Sequence, residues 1–378
     1  MAMPTDPDLT GRFDQLMVET RRHLESFLVE EGLPLDIVEF GGSGRVADGG
    51  KYEPLELLQI GMSEKMERRL SFLLILTDAD LSSTRLSFTV AYASRLTNVG
   101  MISIRRLLPD FWGDEADDEQ AGGRLHALMI HVFGHLLNLD HDDRTDNFMF
   151  DFTSVDDLDN MQVLDPEQRR ELVEILPREA HDETRRGATV GFWLTHTRSN
   201  LDAIRATLLR ANPIRLMSKL PTMLTTALSV VVVLFFSAEV WDVAGSVDPS
   251  QVTVFSVVAL AVAVVVLYRT FGFRTILDRS RMVSESIVTT QTATALAVTA
   301  TVVTVFAIFL GLTYLAAITI FPRPLMSAWS SLQPATEPVD HLKLSLFLGA
   351  MAVLTGSLGG RADSKPLVRT ILFLNEES

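Results

Sequence analysis

HVFGHLLNLDH, residues 131–141, holds three of the chain's eight histidines. Around it Leu125, Leu128, Met129, Val132, Phe133, Leu136 and Leu137 recur at the spacing of an amphipathic helix. At 3.6 residues per turn His131 and His135 stand about 40° apart on one flank of that stripe, so two imidazoles can share a metal ion. Asn138 ends the pattern, and asparagine tolerates the left-handed backbone that terminates helices. Such a turn swings the chain back and lets His141 supply a third nitrogen. Three histidines with an open fourth position are the ligand set of a catalytic zinc site. Three histidines packed without metal remain the plain alternative. His126, about 100° from the centre of the stripe, is read as a surface residue.

Working outward, residues 9–31 carry Leu9, Phe13, Leu16, Met17, Leu24, Phe27 and Leu28 at helical spacing and stop at Gly32. PLDIVEF (34–40), SFLLILTD (71–78), RLSFTVAY (85–92) and NVGMISI (98–104) are short, β-rich and bounded by turns or charge, and read as strands. GGSGRVADGGKY (41–52) lacks the GK[ST] ending of a phosphate loop and reads as a connection. The acidic run 113–119 reads as a solvated loop, with Arg105 and Arg106 flanking the strand before it. DPEQRRELVEIL (165–176) has an Asp cap, a Pro in the first turn and periodic leucines, which predict a helix.

The metzincin zinc peptidases carry H-E-x-x-H-x-x-G-x-x-H followed by a methionine turn. This sequence resembles them, and within them the archaemetzincins. His131, His135 and His141 fall at the three histidines, and Met149 at the methionine. LTDADL, LSFTVAYASRL and VGMISIRRLLPDFW upstream extend the likeness, which covers roughly residues 70–175. The resemblance implies a mixed α/β sheet beside an active-site helix, one zinc ion on the three histidines and a polypeptide substrate. Two departures stand out. Val132 occupies the position of the glutamate that serves these enzymes as general base, and Asn138 that of the glycine. Asp142 and Asn147 stand where the family has cysteines, and the chain has no cysteine at all, so a structural thiolate-bound zinc is ruled out. Three outcomes stay open: zinc bound with impaired hydrolysis, hydrolysis with another base such as Asp140 or Asp143, or no metal.

The formal charge of −15 speaks against a nucleic-acid partner, because phosphate recognition needs a basic surface. The N-terminus lacks an apolar run behind a basic start, so no cleavable leader is expected. After Lys219 the composition changes. Charge-free stretches, among them 220–238, 249–268 and 344–360, approach the roughly 20 residues that cross a bilayer and place spans near 220–240, 249–268, 296–320 and 343–360. They predict an all-α four-helix transmembrane region. The third stretch extends over 286–322 and is read as one span, since Gly311 alone is a weak turn signal.

Arg205, Arg210, Arg215 and Lys219 precede the first span, and Arg269, Arg274, Arg279 and Arg281 follow the second. By the positive-inside rule this sets the soluble domain and the C-terminus on the cytoplasmic side of a bacterial or archaeal cytoplasmic membrane. Spans without ionisable groups favour an anchor over a transporter. Ala352, Gly356 and Gly360 recur every fourth residue, a surface for packing within the bundle or for homo-oligomer contact. The expected organisation is a metzincin-like domain over 1–185, a helical linker over 186–219 and a membrane region over 220–378.

Overall fold

The protein is described here from a computed structural model covering residues 1–3, 10–42, 51–83, 89–179, 184–186, 190–199, 201, 204–205, 208, 212–271, 282–321, 338–359 and 374–377. It divides into two compact units. One comprises Met1–Ser199, Ile276–Thr290 and Phe373–Ser378; the other comprises Asn200–Thr275 and Gln291–Leu372.

The first unit is mixed α/β. Its main sheet has five strands: β1 (Ala2–Met3), β3 (Leu73–Thr77), β6 (Val99–Ser103), β5 (Ala91–Ser94) and β9 (Asn375–Glu377), adjacent in that order. Pairing is parallel from β1 to β3 and from β3 to β6, and antiparallel from β6 to β5 and from β5 to β9. A tight turn at residues 95–98, with Asn98 at φ 54°, reverses the chain between β5 and β6. Two short strands, β2 (Lys51–Tyr52) and β4 (Asp80–Leu81), pair separately, and β7 (Thr184–Arg186) pairs with β8 (Met282–Ser284).

Against the sheet packs α4 (Asp118–Leu136), the helix predicted around the histidines. Asp117 caps it by accepting from the Gln120 N–H, satisfying a donor the first turn leaves open. Asp118 and Glu119 thereby fall inside its first turn, so the acidic loop ends earlier than its charge suggested. Gly100 of β6 makes the close approach possible: a Cβ there would lie 2.5 Å from Val132 Cγ1 and 2.6 Å from Leu74 Cδ2. On its other side α4 packs on α1 (Thr10–Glu30), through Phe13, Leu16, Phe27, Leu125 and Leu128 of one core cluster. Gly32, at φ 68°, ends the stretch predicted to stop there. Arg124, buried in α4, reaches Asp159 at 2.7 Å and Asp156 at 2.6 Å, tying the helix to the 3-10 turn Val155–Asn160.

The strands expected at 71–78 and 98–104 and the helix expected at 165–176 are present as β3, β6 and α5 (Pro166–Glu179). Two expectations differ. PLDIVEF is extended but is not a strand: pairing comes only at its end, where Ala2 N–H donates to the Phe40 carbonyl and Gly42 N–H to that of Ala2. α2 (Pro54–Arg68), unforeseen, buries Leu55, Leu57, Leu58, Met62 and Met66. Residues 85–88 of the RLSFTVAY strand and 43–50 of the glycine loop lie outside the described residues.

The second unit is helical, and among the described residues three helices are long and apolar enough to cross a membrane: Pro249–Thr270, Val288–Ile320 and His341–Gly359. The helix over 285–320 is unbroken, as one span requires. The expected first span is not straight. Its 15-residue helix Pro221–Phe235, about 22 Å long, breaks before Ala238–Ala244 with an 86° bend, so a fourth crossing exists only if the bent pair counts as one. The break is built locally: Trp241 Nε1 donates to the Phe235 carbonyl at 2.7 Å, satisfying an acceptor the helix end leaves open.

The last helix, Pro338–Gly359, starts earlier than the charge-free stretch, so that span includes His341 and Lys343. Ala352 and Gly356 are buried within the chain. A Cβ on Gly356 would meet the Met223 carbonyl oxygen at 2.9 Å and the Ala227 Cβ at 3.1 Å. Gly360 lies outside the described residues.

Candidate metal centre

His131 and His135 leave α4 one turn apart, as helical periodicity requires. After Leu137 the chain turns through Asn138, whose φ of 69° is the left-handed value expected of that position. The Leu139 N–H donates back to the Gly134 carbonyl at 2.9 Å, and Arg95 donates to the Asn138 side-chain oxygen. His141 is thereby returned to the other two. The His135 Nε2 lies 3.0 Å from His131 Nε2 and 2.9 Å from His141 Nε2. Among the described residues this is the group of three metal-ligating side chains with converging donors.

The triangle fits a zinc ion. With Zn–N bonds of about 2.05 Å and tetrahedral angles, nitrogens sit about 3.3 Å apart, within a few tenths of an ångström of the two edges here. The surroundings fit as well. His131 Nδ1 lies 2.8 Å from the Phe148 carbonyl oxygen. A carbonyl only accepts, so this bond puts the proton on Nδ1 and leaves the Nε2 lone pair facing the other two rings. Phe152 sets its ring 5.2 Å from that of His131. His131 is fully buried, His135 half-buried and His141 exposed, so the open side of the triangle faces solvent at His141.

Met149 is fully buried beneath this turn of the helix. A Cβ on Gly134 would lie 2.4 Å from the Met149 sulfur, so a glycine between the two helical histidines is what admits the methionine. The Asp142 N–H donates to the Met149 carbonyl at 2.8 Å, which closes the loop from His141. Asn147, at one cysteine position of the resemblance, is buried and accepts from the Met149 N–H at 2.8 Å, a turn-building role. Asp142 is half-buried and its carboxylate accepts from the Arg144 N–H at 2.8 Å.

Val132 is fully buried and points at Gly100 on the sheet. Asp140 and Asp143 are exposed. The carboxylate that does come near is Asp151, whose Oδ1 lies 3.7 Å from His141 Nδ1. Sequence reasoning passed over it, although it follows Met149 by two residues. The Phe148 carbonyl could not have been found, since a backbone acceptor leaves no mark in sequence. Arg106 is not a simple strand flank: it pairs with Asp80 at 2.9 and 3.0 Å and lies over the Phe111 ring.

His126 corrects the expectation of a surface residue. It sits among the rings of His23, Phe27 and Phe148, with centroids at 5.7, 6.2 and 6.0 Å, and its Nδ1 is buried without a hydrogen-bond partner. Burial, with a smaller contribution from His23, pushes its pKa down from 6.5 to about 4. The fold therefore favours the neutral ring, and the unfolded chain binds the proton more readily between those values. The stability held at pH 7 should fall as pH drops from about 6.5 towards 4, by roughly 2–3 kcal/mol for this group. His126→Phe should flatten that part of the profile; unfolding midpoints at pH 7 and pH 5 read the difference, and parallel profiles would refute it.

No protein-family profile matches the chain. A curated relative does: over 84 residues the chain is 32% identical to the archaemetzincin of Thermococcus kodakarensis, a match spanning 22% of this chain and 45% of that protein. The likeness is to an archaemetzincin. Two solved structures also align. One, a zinc-dependent peptidase from Methanocorpusculum labreanum, is 20% identical, with 45% of this chain and 98% of that one covered, at a TM-score of 0.36. The other, the archaemetzincin of Methanopyrus kandleri, is 19% identical, with 47% and 94% covered, at a TM-score of 0.39.

Proposed function

We propose that this chain is a membrane-anchored homologue of zinc peptidases that binds one zinc ion on His131, His135 and His141 and is impaired in peptide hydrolysis. The observation that carries the reading is the convergence of the three Nε2 atoms, with the His131 tautomer fixed by Phe148. The 32% likeness to an archaemetzincin supports it. A bound zinc ion would acidify a water towards a pKa of about 7 and polarise a carbonyl. What this chain's own residues supply at that point is limited. Val132 cannot accept a proton or pass one to a leaving nitrogen, and a positioned base is worth about 10²–10⁴-fold. The protein then acts by holding a polypeptide or partner rather than by cutting it. Metal analysis of the full chain purified in detergent, with a chelator-controlled hydrolysis assay, tests both halves of this reading.

Asp151 gives a second reading some ground. It is a carboxylate beside the exposed ligand, and in an active enzyme it could orient His141 or take a proton. Chelator-sensitive hydrolysis that is lost in Asp151→Asn and kept in Asp140→Asn and Asp143→Asn would favour it.

Anchoring is supported by the three long apolar helices and by the valines they leave exposed, among them Val254, Val257, Val258 and Val265 at 50–62%. Such a surface is costly in water and fits lipid. Inside these helices Ser256, Thr301 and Thr313 return their hydroxyls to carbonyls one turn back, which satisfies those three within the helix. The arginine placement favours both ends of the chain on the cytoplasmic side. A reporter fused after Ser378 should be active on that side; activity on the outer side alone would overturn the topology.

A further inference from the structure

Behind the histidine helix the first unit holds a cavity of about 420 Å³. Leu24 and Leu28 of α1, Ile37, Phe72, and Met129 and Phe133 of α4 form apolar walls. Met129 and Phe133 each stand two residues from His131, about 200° around the helix. The cavity and the histidines therefore share α4 but lie on opposite faces of it. Thr20 of α1 also lines the cavity, at 1% exposure, and among the described residues its hydroxyl has no hydrogen-bond partner. Helical threonines usually satisfy themselves at the carbonyl one turn back, as Thr301 and Thr313 do. Thr20 does not. The rim is charged: Arg21, Asp36, Glu39 and Arg69 line it and are exposed. Arg21 is engaged by Glu25 at 2.8 Å and by Glu39 at 3.8 Å. Among the described residues Arg69 and Asp36 have no ion-pair partner, in each other or elsewhere. Arg69 caps α2 at φ 55°, where a glycine would sit without strain, so this side chain is held at the rim at a steric cost.

We propose that this cavity binds a single-chain zwitterionic amphiphile, a lysophospholipid. Its volume lies at the lower end of small-molecule pockets and suits one apolar chain. An ester carbonyl between chain and head accepts from the Thr20 hydroxyl, which removes the cost of leaving that donor buried and unpaired. The head carries a phosphate and an ammonium, and the rim offers one unengaged charge of each sign, Arg69 for the first and Asp36 for the second. A fatty acid would set its carboxylate against Asp36, and an alkylammonium its charge against Arg69; like charges brought together discriminate against both. The site lies apart from the three histidines and does not rest on the zinc reading.

The test uses the full chain in nanodiscs of two-chain lipid. The probe is a lysophosphatidylethanolamine with a photoreactive diazirine in its acyl chain, and labelled peptides are mapped by mass spectrometry. Labelling at the cavity walls, residues 21–28, 69–74 and 129–133, should saturate in the micromolar range, while labelling of the long apolar helices rises without saturating. Unlabelled lysophosphatidylethanolamine should compete at least about tenfold better than a fatty acid or an alkylammonium of equal chain length. Leu24→Trp, which fills the cavity, should abolish the saturable labelling. Should that variant lose its circular-dichroism signature, Arg69→Gly decides, because glycine takes this backbone conformation without strain. It should raise the half-saturation point roughly 3–10-fold and remove the handicap of the alkylammonium competitor. Asp36→Asn should remove that of the fatty acid. Wall labelling that never saturates, a half-saturation point unchanged in Arg69→Gly, or a fatty acid competing as well as the zwitterion overturns the proposal.

Discussion

Replacing His135 by alanine should lower zinc affinity by about 10³-fold or more, the largest effect expected of any single ligand. His135 is the hub of the triangle, since its Nε2 makes both of the short nitrogen contacts to His131 and His141. Without it the remaining pair comes from two different segments, with rings stacked at a centroid distance of 5.4 Å and no third donor between them. Structural zinc sites with four protein ligands are worth about 10–16 kcal/mol, so losing one imidazole of three forfeits on the order of 4 kcal/mol. The loss should also appear in folding. Zinc at a hundredfold excess over its dissociation constant stabilises the folded chain by about 2.7 kcal/mol, a melting shift that His135→Ala should abolish. The wild-type chain should hold close to one ion per molecule. If it comes out metal-free after purification with zinc, the three imidazoles are a packed cluster and the zinc reading fails.

The part of this centre that sequence could reach is the part built by local periodicity. One turn of helix separates His131 from His135, and the left-handed turn at Asn138 is a property of that residue, so both were legible. Met149 was reached only through its offset from His141 in the resemblance. Contacts between distant segments left no such trace. Gly100 lies in a strand that merely reads as β-rich, yet its missing side chain sets how closely α4 approaches the sheet. His126 reads as exposed by its angle on the helix and is covered by α1 and by Phe148, which no helical wheel contains. The tail strand is three residues long, too short for any pattern, and its partner lies near the other end of the chain. In the apolar region length and hydropathy found the helices. The bend after Phe235 depends on one tryptophan hydrogen bond, which hydropathy does not register.

Val132→Glu should raise chelator-sensitive peptide cleavage by about 10²–10⁴-fold over the wild type, the contribution of a positioned general base. Position 132 lies about 60° around the helix from His135, and helical side chains lean towards the N-terminus of their helix. The sheet side is filled by Gly100 and Leu74, so the longer side chain has to turn along the helix, towards the nitrogen triangle. Before metal binds, the carboxylate is buried without a partner, at a cost of roughly 2–4 kcal/mol when ionised. Burial raises such a pKa above its unfolded value. The metal-free variant should therefore keep most stability in acid and lose it as pH rises through the folded pKa, while zinc should restore it near neutrality. That pairing of a zinc-reversible, pH-dependent destabilisation with new activity separates a working base from a merely damaged core. Chelator-sensitive cleavage by the wild type at a comparable rate would refute impairment. Activity in neither protein would mean that the chain has lost its substrate groove as well as its base.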